Sequence, residues 1–166
     1  MTSKYICLVL FIVLSWSCNS EYSDNQKYIL PDGLYNIISY PQQFQLHACF
    51  DSIDSTDIVT FDSLNQIHNF PWSLKHIGGK EYQVQAHDLK KYLTLIDDAL
   101  ILSEENNNEA QVWIIHRYKD QKFKIINKSQ IFCLCLPKKD AEKNIITTRK
   151  CNNRPGEYWL FKKVAE

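Results

Sequence analysis

The stretch Tyr82-Gln83-Val84-Gln85-Ala86-His87-Asp88-Leu89-Lys90-Lys91-Tyr92-Leu93-Thr94-Leu95-Ile96-Asp97-Asp98-Ala99-Leu100-Ile101-Leu102 decides the fold. Its apolar residues recur at a spacing of two (Tyr82, Val84, Ala86; Leu93, Leu95; Leu100, Leu102), the spacing of half-buried strands. Turn-forming pairs, His87-Asp88 and Asp97-Asp98, interrupt it about every ten residues. The same pattern returns on either side. Tyr35-Asn36-Ile37, Tyr82-Gln83-Val84 and Phe123-Lys124-Ile125 each have a Leu 11 positions after the aromatic, at Leu46, Leu93 and Leu134. Each copy closes on a Trp (Trp72, Trp113, Trp159), with an apolar residue 13 positions before it (Val59, Leu100, Ile146) and another two after it (Leu74, Ile115, Phe161). A repeat of roughly 40 to 45 residues is the length of a multi-strand module.

Three units of about four strands give about twelve strands in an all-β chain. No unit buries a face alone, but three closed about one axis share a core and remove most free edges. This arrangement resembles a β-trefoil from Leu30 to Val164, and a three-bladed propeller has the same strand count. The trefoil resemblance places Tyr35, Ile37, Leu46, Trp72, Tyr82, Val84, Leu93, Trp113, Phe123, Ile125, Leu134 and Trp159 in one interior.

Residues 1–20 read as a secretory signal: Lys4 precedes the apolar run Tyr5 to Leu14, and Ser15-Trp16-Ser17 supplies a small-x-small cleavage pattern. That run is too short to span a bilayer. Cys18 also allows a lipidated bacterial N-terminus. Residues 21–29 form a polar lead and 30–164 a single domain, so a secreted, extracellular protein is expected. Basic and acidic residues number 19 each, which leaves no overall field for nucleic acid or an anionic membrane. A monomer is expected. Cys49, Cys133, Cys135 and Cys151 remain after cleavage, an even set that suits disulfides in an exported chain. Cys151 is expected to pair with Cys133 or Cys135; a zinc site at Cys133-Leu134-Cys135 lacks a fourth ligand.

Nothing points to catalysis. His47, His68, His76, His87 and His116 show no metal-ligand spacing, and Asp97-Asp98 and Glu104-Glu105 are neighbours whose side chains alternate across a strand. No metal or cofactor is expected. The Asn127-Lys128-Ser129 sequon is expected in an exposed turn, open to glycosylation in a eukaryotic source.

Two trefoil families share motifs with the chain. Leu30-Pro31-Asp32-Gly33-Leu34-Tyr35-Asn36-Ile37, Pro71-Trp72-Ser73-Leu74 and the short hairpin Ile96 to Leu100 resemble the small fungal trefoil protease inhibitors, of the serine-protease inhibitor and mycocypin type. That resemblance implies an extracellular protease partner and a reactive surface loop. Pro137-Lys138-Lys139-Asp140, with Lys138 or Lys139 as the anchor for a trypsin-like pocket, is the candidate loop. Gln111-Val112-Trp113 matches the Gln-x-Trp signature of ricin-B-type lectins, and Ile145 to Asn153 is similar to the strand and cysteine before it. This second resemblance implies a glycan partner, with Gln111, Asn152 and Asn153 at the sugar site. Units one and three carry Phe70-Pro71-Trp72 and Glu157-Tyr158-Trp159 where that signature would stand, and the chain holds only 4 glycines, so the inhibitor is the leading expectation and the lectin its alternative.

Overall fold

A computed structural model describes residues 29–51, 56–63, 70–137 and 145–165. The signal and lead readings up to residue 28, and the loop bearing Lys138 and Lys139, lie outside these residues. Twelve strands follow in order: β1 (Gly33–Tyr40), β2 (Phe44–Asp51), β3 (Thr56–Ser63), β4 (Trp72–Gly78), β5 (Glu81–Ala86), β6 (Lys91–Ile96), β7 (Ala99–Ser103), β8 (Val112–Arg117), β9 (Phe123–Asn127), β10 (Phe132–Cys135), β11 (Thr147–Lys150) and β12 (Tyr158–Lys163). A 3-10 turn, Glu109–Gln111, precedes β8.

The first and fourth strands of each unit join in a closed antiparallel ring. β1 pairs with β4, β4 with β5, β5 with β8, β8 with β9, β9 with β12, and β12 returns to β1. The second and third strands make three hairpins, β2–β3, β6–β7 and β10–β11. A six-stranded ring with three hairpins is a β-trefoil; a propeller would keep each unit's four strands in a separate blade. The hairpins of units one and three meet where Ile146 N donates to Val59 O at 2.9 Å.

The alternation of the sequence becomes burial because every ring strand turns one face inward. All twelve residues expected in the core are at most 8% exposed, and Trp113, Trp159, Ile37, Leu46, Val84, Leu93, Ile125 and Leu134 are at 0%. One bond repeats with the threefold. Trp72 Nε1 donates to Leu46 O (3.0 Å), Trp113 Nε1 to Leu93 O (2.8 Å) and Trp159 Nε1 to Leu134 O (3.0 Å). Each repeated Trp thus fills the core and satisfies its one polar atom on the carbonyl of the repeated Leu, which locks a hairpin onto the ring.

Register selects the disulfide. Cys133 lies opposite Arg149 and Cys135 opposite Thr147, so Cys151 is two residues past the partner of the first and four past that of the second. At about 3.3 Å per residue, Cys135 is about 13 Å along the strand from Cys151, well beyond the roughly 7 Å Cα limit of a disulfide, which leaves Cys133 as the partner. Cys133 and Cys151 are bonded, with Cα atoms 5.1 Å apart, while Cys49 and Cys135 are free. Cys135 is buried beside Thr147, and burial pushes its thiol pKa up. Reducing the bond, which closes a loop of sequence separation 18, should lower unfolding free energy by about 3 kcal/mol. Urea unfolding with and without reductant reads this directly; equal midpoints would place the constraint elsewhere.

The sequon expectation is corrected. Asn127 is at 0% exposure. Its Nδ2 donates to Ala110 O (2.9 Å) and its Oδ1 accepts from Ser129 N (3.1 Å) and Ser129 Oγ (2.6 Å). The side chain that would carry a glycan instead holds the turn after β9 against the 3-10 turn, as Asn side chains do when they stabilise their own local backbone.

Candidate functional site

Gln111 and Glu157 both stand two residues before a repeated Trp, and the fold gives them one task. Gln111 is fully buried. Its Nε2 donates to Ser103 Oγ (2.9 Å), Glu104 O (2.7 Å) and Thr94 Oγ1 (3.2 Å), and its Oε1 accepts from Asn106 N (2.9 Å). The amide therefore clamps the loop after β7 to the barrel. Because these partners occupy both ends of the amide, the sugar-contact role expected of Gln111 is replaced by a structural one.

Glu157 does the same for the loop after β11 with a charge. It is also at 0% exposure. Its Oε2 accepts from Asn152 N (3.2 Å) and Asn153 N (3.0 Å), with Lys124 Nζ at 3.6 Å, while Arg149 Nε lies 3.6 Å from Oε1. The amide orientation that its neighbours call for has Asn152 Nδ2 donating to Glu157 Oε1 (2.5 Å) and Oδ1 accepting from Arg154 Nε (3.0 Å). Lys124 Nζ also donates to Asn153 Oδ1. Two cations and two backbone N–H groups thus surround one buried carboxylate, the condition under which burying it is tolerated. Asn152 and Asn153 remain on the exposed surface, held in place from beneath.

Beside this loop lies an aromatic surface that the sequence reading missed. Tyr40, at the end of β1, is in register with Tyr158, at the start of β12. The turn between β8 and β9 brings Tyr118 onto Tyr158, with ring centroids 4.9 Å apart at 36°. Lys122 Nζ sits 4.1 Å from the centroid of the Tyr40 ring, and Lys124 Nζ 5.5 Å from that of Tyr158. Desolvation by burial, then its hydrogen bond to Tyr118, raises the Tyr158 pKa above the usual tyrosine value, so the Tyr158 hydroxyl keeps its proton at physiological pH. Tyr118 is 45% exposed. Tyr118 and Tyr158 are 40 residues apart in sequence and belong to different repeats, so no local pattern signals the pair.

Together, Tyr118, Tyr158, Tyr40, Lys122 and Asn153 form a face with flat apolar area and hydrogen-bonding groups at its edge. Among the described residues no group of His, Cys, Asp and Glu is arranged to hold a metal ion. Such a face can bind; it carries no nucleophile paired with a base.

No protein-family model and no curated protein sequence matches this chain. Solved structures do resemble it. The designed threefold-symmetric protein ThreeFoil aligns with a TM-score of 0.70 at 16% identity, covering 80% of this chain and 100% of that one. A Polyporus squamosus lectin bound to a human-type influenza-binding epitope aligns with a TM-score of 0.66 at 20% identity, over 82% of this chain and 50% of that chain, so the present protein matches about half the lectin's length. A Culex salivary protein of the cysteine and tryptophan-rich family aligns with a TM-score of 0.69 at 14% identity, covering 81% and 96%. What these three share with the present chain is the β-trefoil fold.

Proposed function

We propose that this is a secreted, non-catalytic β-trefoil lectin that binds a glycan on the face built by Tyr118, Tyr158, Tyr40 and the clamped Asn152–Asn153 loop. The observation that carries the reading is the tilted Tyr118–Tyr158 ring contact, with Tyr118 nearly half open to solvent, beside Asn153 and Lys122. A pyranose ring presents an apolar C–H face and a rim of hydroxyls. Aromatic faces desolvate the first, and amide and ammonium groups hydrogen-bond the second. Glu157 and the disulfide fix the Asn loop before binding, which reduces the ordering cost of association. A trefoil of the same fold, the Polyporus lectin, is bound to a glycan epitope, which supports this class over the protease inhibitor. The inhibitor expectation rests on the motifs Leu30 to Ile37, Pro71 to Leu74 and Ile96 to Leu100, on few glycines and on the missing Gln-x-Trp signatures of units one and three, and its candidate loop at Lys138 and Lys139 lies outside the described residues. The lectin alternative is therefore the better supported of the two.

A glycan array run in parallel with a panel of serine and cysteine proteases tests the choice. Saturable glycan binding without protease inhibition is expected. Tyr118→Ala should weaken that binding at least tenfold, about 1.4 kcal/mol, while its surface position keeps the change in stability to about 0.5 kcal/mol. Protease inhibition by the wild-type chain with a blank array would return the inhibitor reading to first place, and full glycan binding by Tyr118→Ala would move the site off this face.

A further inference from the structure

A basic strip leads away from the tyrosine face along the outside of the barrel. His116 on β8 and Lys124 on β9 are register partners. On one side of this pair, Lys124 Nζ reaches Asn153 Oδ1 and stands 5.5 Å from the centroid of the Tyr158 ring. On the other side is Lys80, in the turn between β4 and β5. Its carbonyl accepts from Ile115 N (2.9 Å), which sets this turn beside β8, and its Nζ donates to His116 Nδ1 at 3.4 Å. Tyr118 follows His116 by two residues, about 7 Å along extended chain. Lys80, His116, Lys124, Tyr158 and Tyr118 therefore border one continuous surface.

Negative charge is short along this strip. Glu157, the partner of Lys124, is fully buried and shared among Lys124, Arg149 and the N–H groups of Asn152 and Asn153. Glu81, next to Lys80 in the chain, is turned to Lys128, with each carboxylate oxygen 3.1 Å from Nζ. Among the described residues Lys80 has the neutral imidazole of His116 as its side-chain partner and no carboxylate. Burial, then Lys80, then Lys124 hold the His116 pKa below its usual value, the direction expected where two ammonium groups face an imidazole with no anion between them.

We infer that the ligand is an acidic oligosaccharide: the sugar on the Tyr118–Tyr158 rings is followed by a unit whose anionic group, a carboxylate or a sulfate ester, lies on Lys80 and His116. This rests on the glycan reading of the tyrosine face and gives that reading a ligand class. The anion supplies the counter-charge that the strip lacks. Its oxygens accept a charge-assisted hydrogen bond from the Lys80 ammonium, stronger than a neutral one, and a second bond from an imidazole N–H of His116. A neutral chain gains no such bond and leaves the strip as it was, so the charge decides between chains that the tyrosine rings alone would hold equally well.

An array of matched oligosaccharide pairs tests the inference with the full chain: uronate-containing chains beside their carboxyl-reduced forms, and sulfated chains beside their unsulfated forms. In the pairs that bind, the acidic member is expected to hold at least tenfold more tightly than its neutral match at about 0.15 M salt, with the margin shrinking as salt rises. The kind of pair that shows the margin separates a carboxylate from a sulfate ester. Lys80→Glu should erase the margin and leave the neutral members bound as before, whereas Lys80→Arg should retain it. Lys80 is partly exposed, so both variants should keep the wild-type thermal midpoint. Equal affinity within the pairs, or a margin that survives Lys80→Glu, would overturn the inference and leave the glycan face standing; a blank array would overturn both.

Discussion

Trp113→Ala is expected to lower the unfolding free energy by about 3 to 5 kcal/mol, a large share of the 5 to 15 kcal/mol that holds a typical domain together. Two losses combine. The indole is fully buried at the centre of the fold, so its removal leaves a cavity that rigid strands cannot collapse into. Its Nε1 also satisfies Leu93 O at 2.8 Å, and that carbonyl would be left buried without this donor. Urea unfolding followed by far-UV circular dichroism checks this independently of indole fluorescence. A loss below about 1 kcal/mol would mean that the three Trp residues do not share one close-packed interior.

Glu157→Ala should cost about as much, 3 to 5 kcal/mol, for an electrostatic reason. Removing the carboxylate leaves Lys124, whose side chain is 9% exposed, without its counter-charge, and takes the acceptor from the N–H groups of Asn152 and Asn153. Glu157→Gln is the informative companion. It reproduces what Gln111 does in unit two, where a neutral amide oxygen accepts from Asn106 N, so it should retain part of the clamp while losing the charge. The expected order of stability is wild type, then Gln, then Ala, measured by the same urea titrations. Equal and small losses in both variants would show that water, and not Glu157, satisfies the cations. Because the clamp sets Asn152 and Asn153 beside Tyr158, Glu157→Ala should also weaken the glycan binding proposed for that face.

The threefold architecture was legible in the chain because a closed barrel demands the same residue types at the same places in every unit. Leu46, Leu93 and Leu134 repeat because each packs inward and presents its carbonyl to a Trp. The choice of Cys133 over Cys135 was not legible, since both lie on one strand and only the register with β11 measures their distance to Cys151. Gln111 illustrates the opposite difficulty. Its motif was visible, but the motif marks a loop clamp, and a buried amide and a sugar-binding amide look alike until their neighbours are in place. Aligning Glu157 with Gln111 across the repeats was the signal that could have exposed this shared role. Asn127 was misjudged for a related reason: a turn sequence predicts a reversal of the chain, and burial depends on what packs over it, here Ala110 and the 3-10 turn.

The sequence by itself determined the strands, their threefold grouping and the interior they share, because periodicity of two and a repeat of 40 to 45 residues are properties of the chain read in order. Tertiary structure alone decided the surface. Tyr118 against Tyr158, Lys122 over Tyr40 and the single-position pairing of β9 with β12 arise between residues that no period relates, beside the turn whose Asp120 and Gln121 take positive φ. A shared core constrains every repeat alike, so it leaves a pattern in the sequence. A binding face needs one particular meeting of side chains, and that exists only once the barrel has closed.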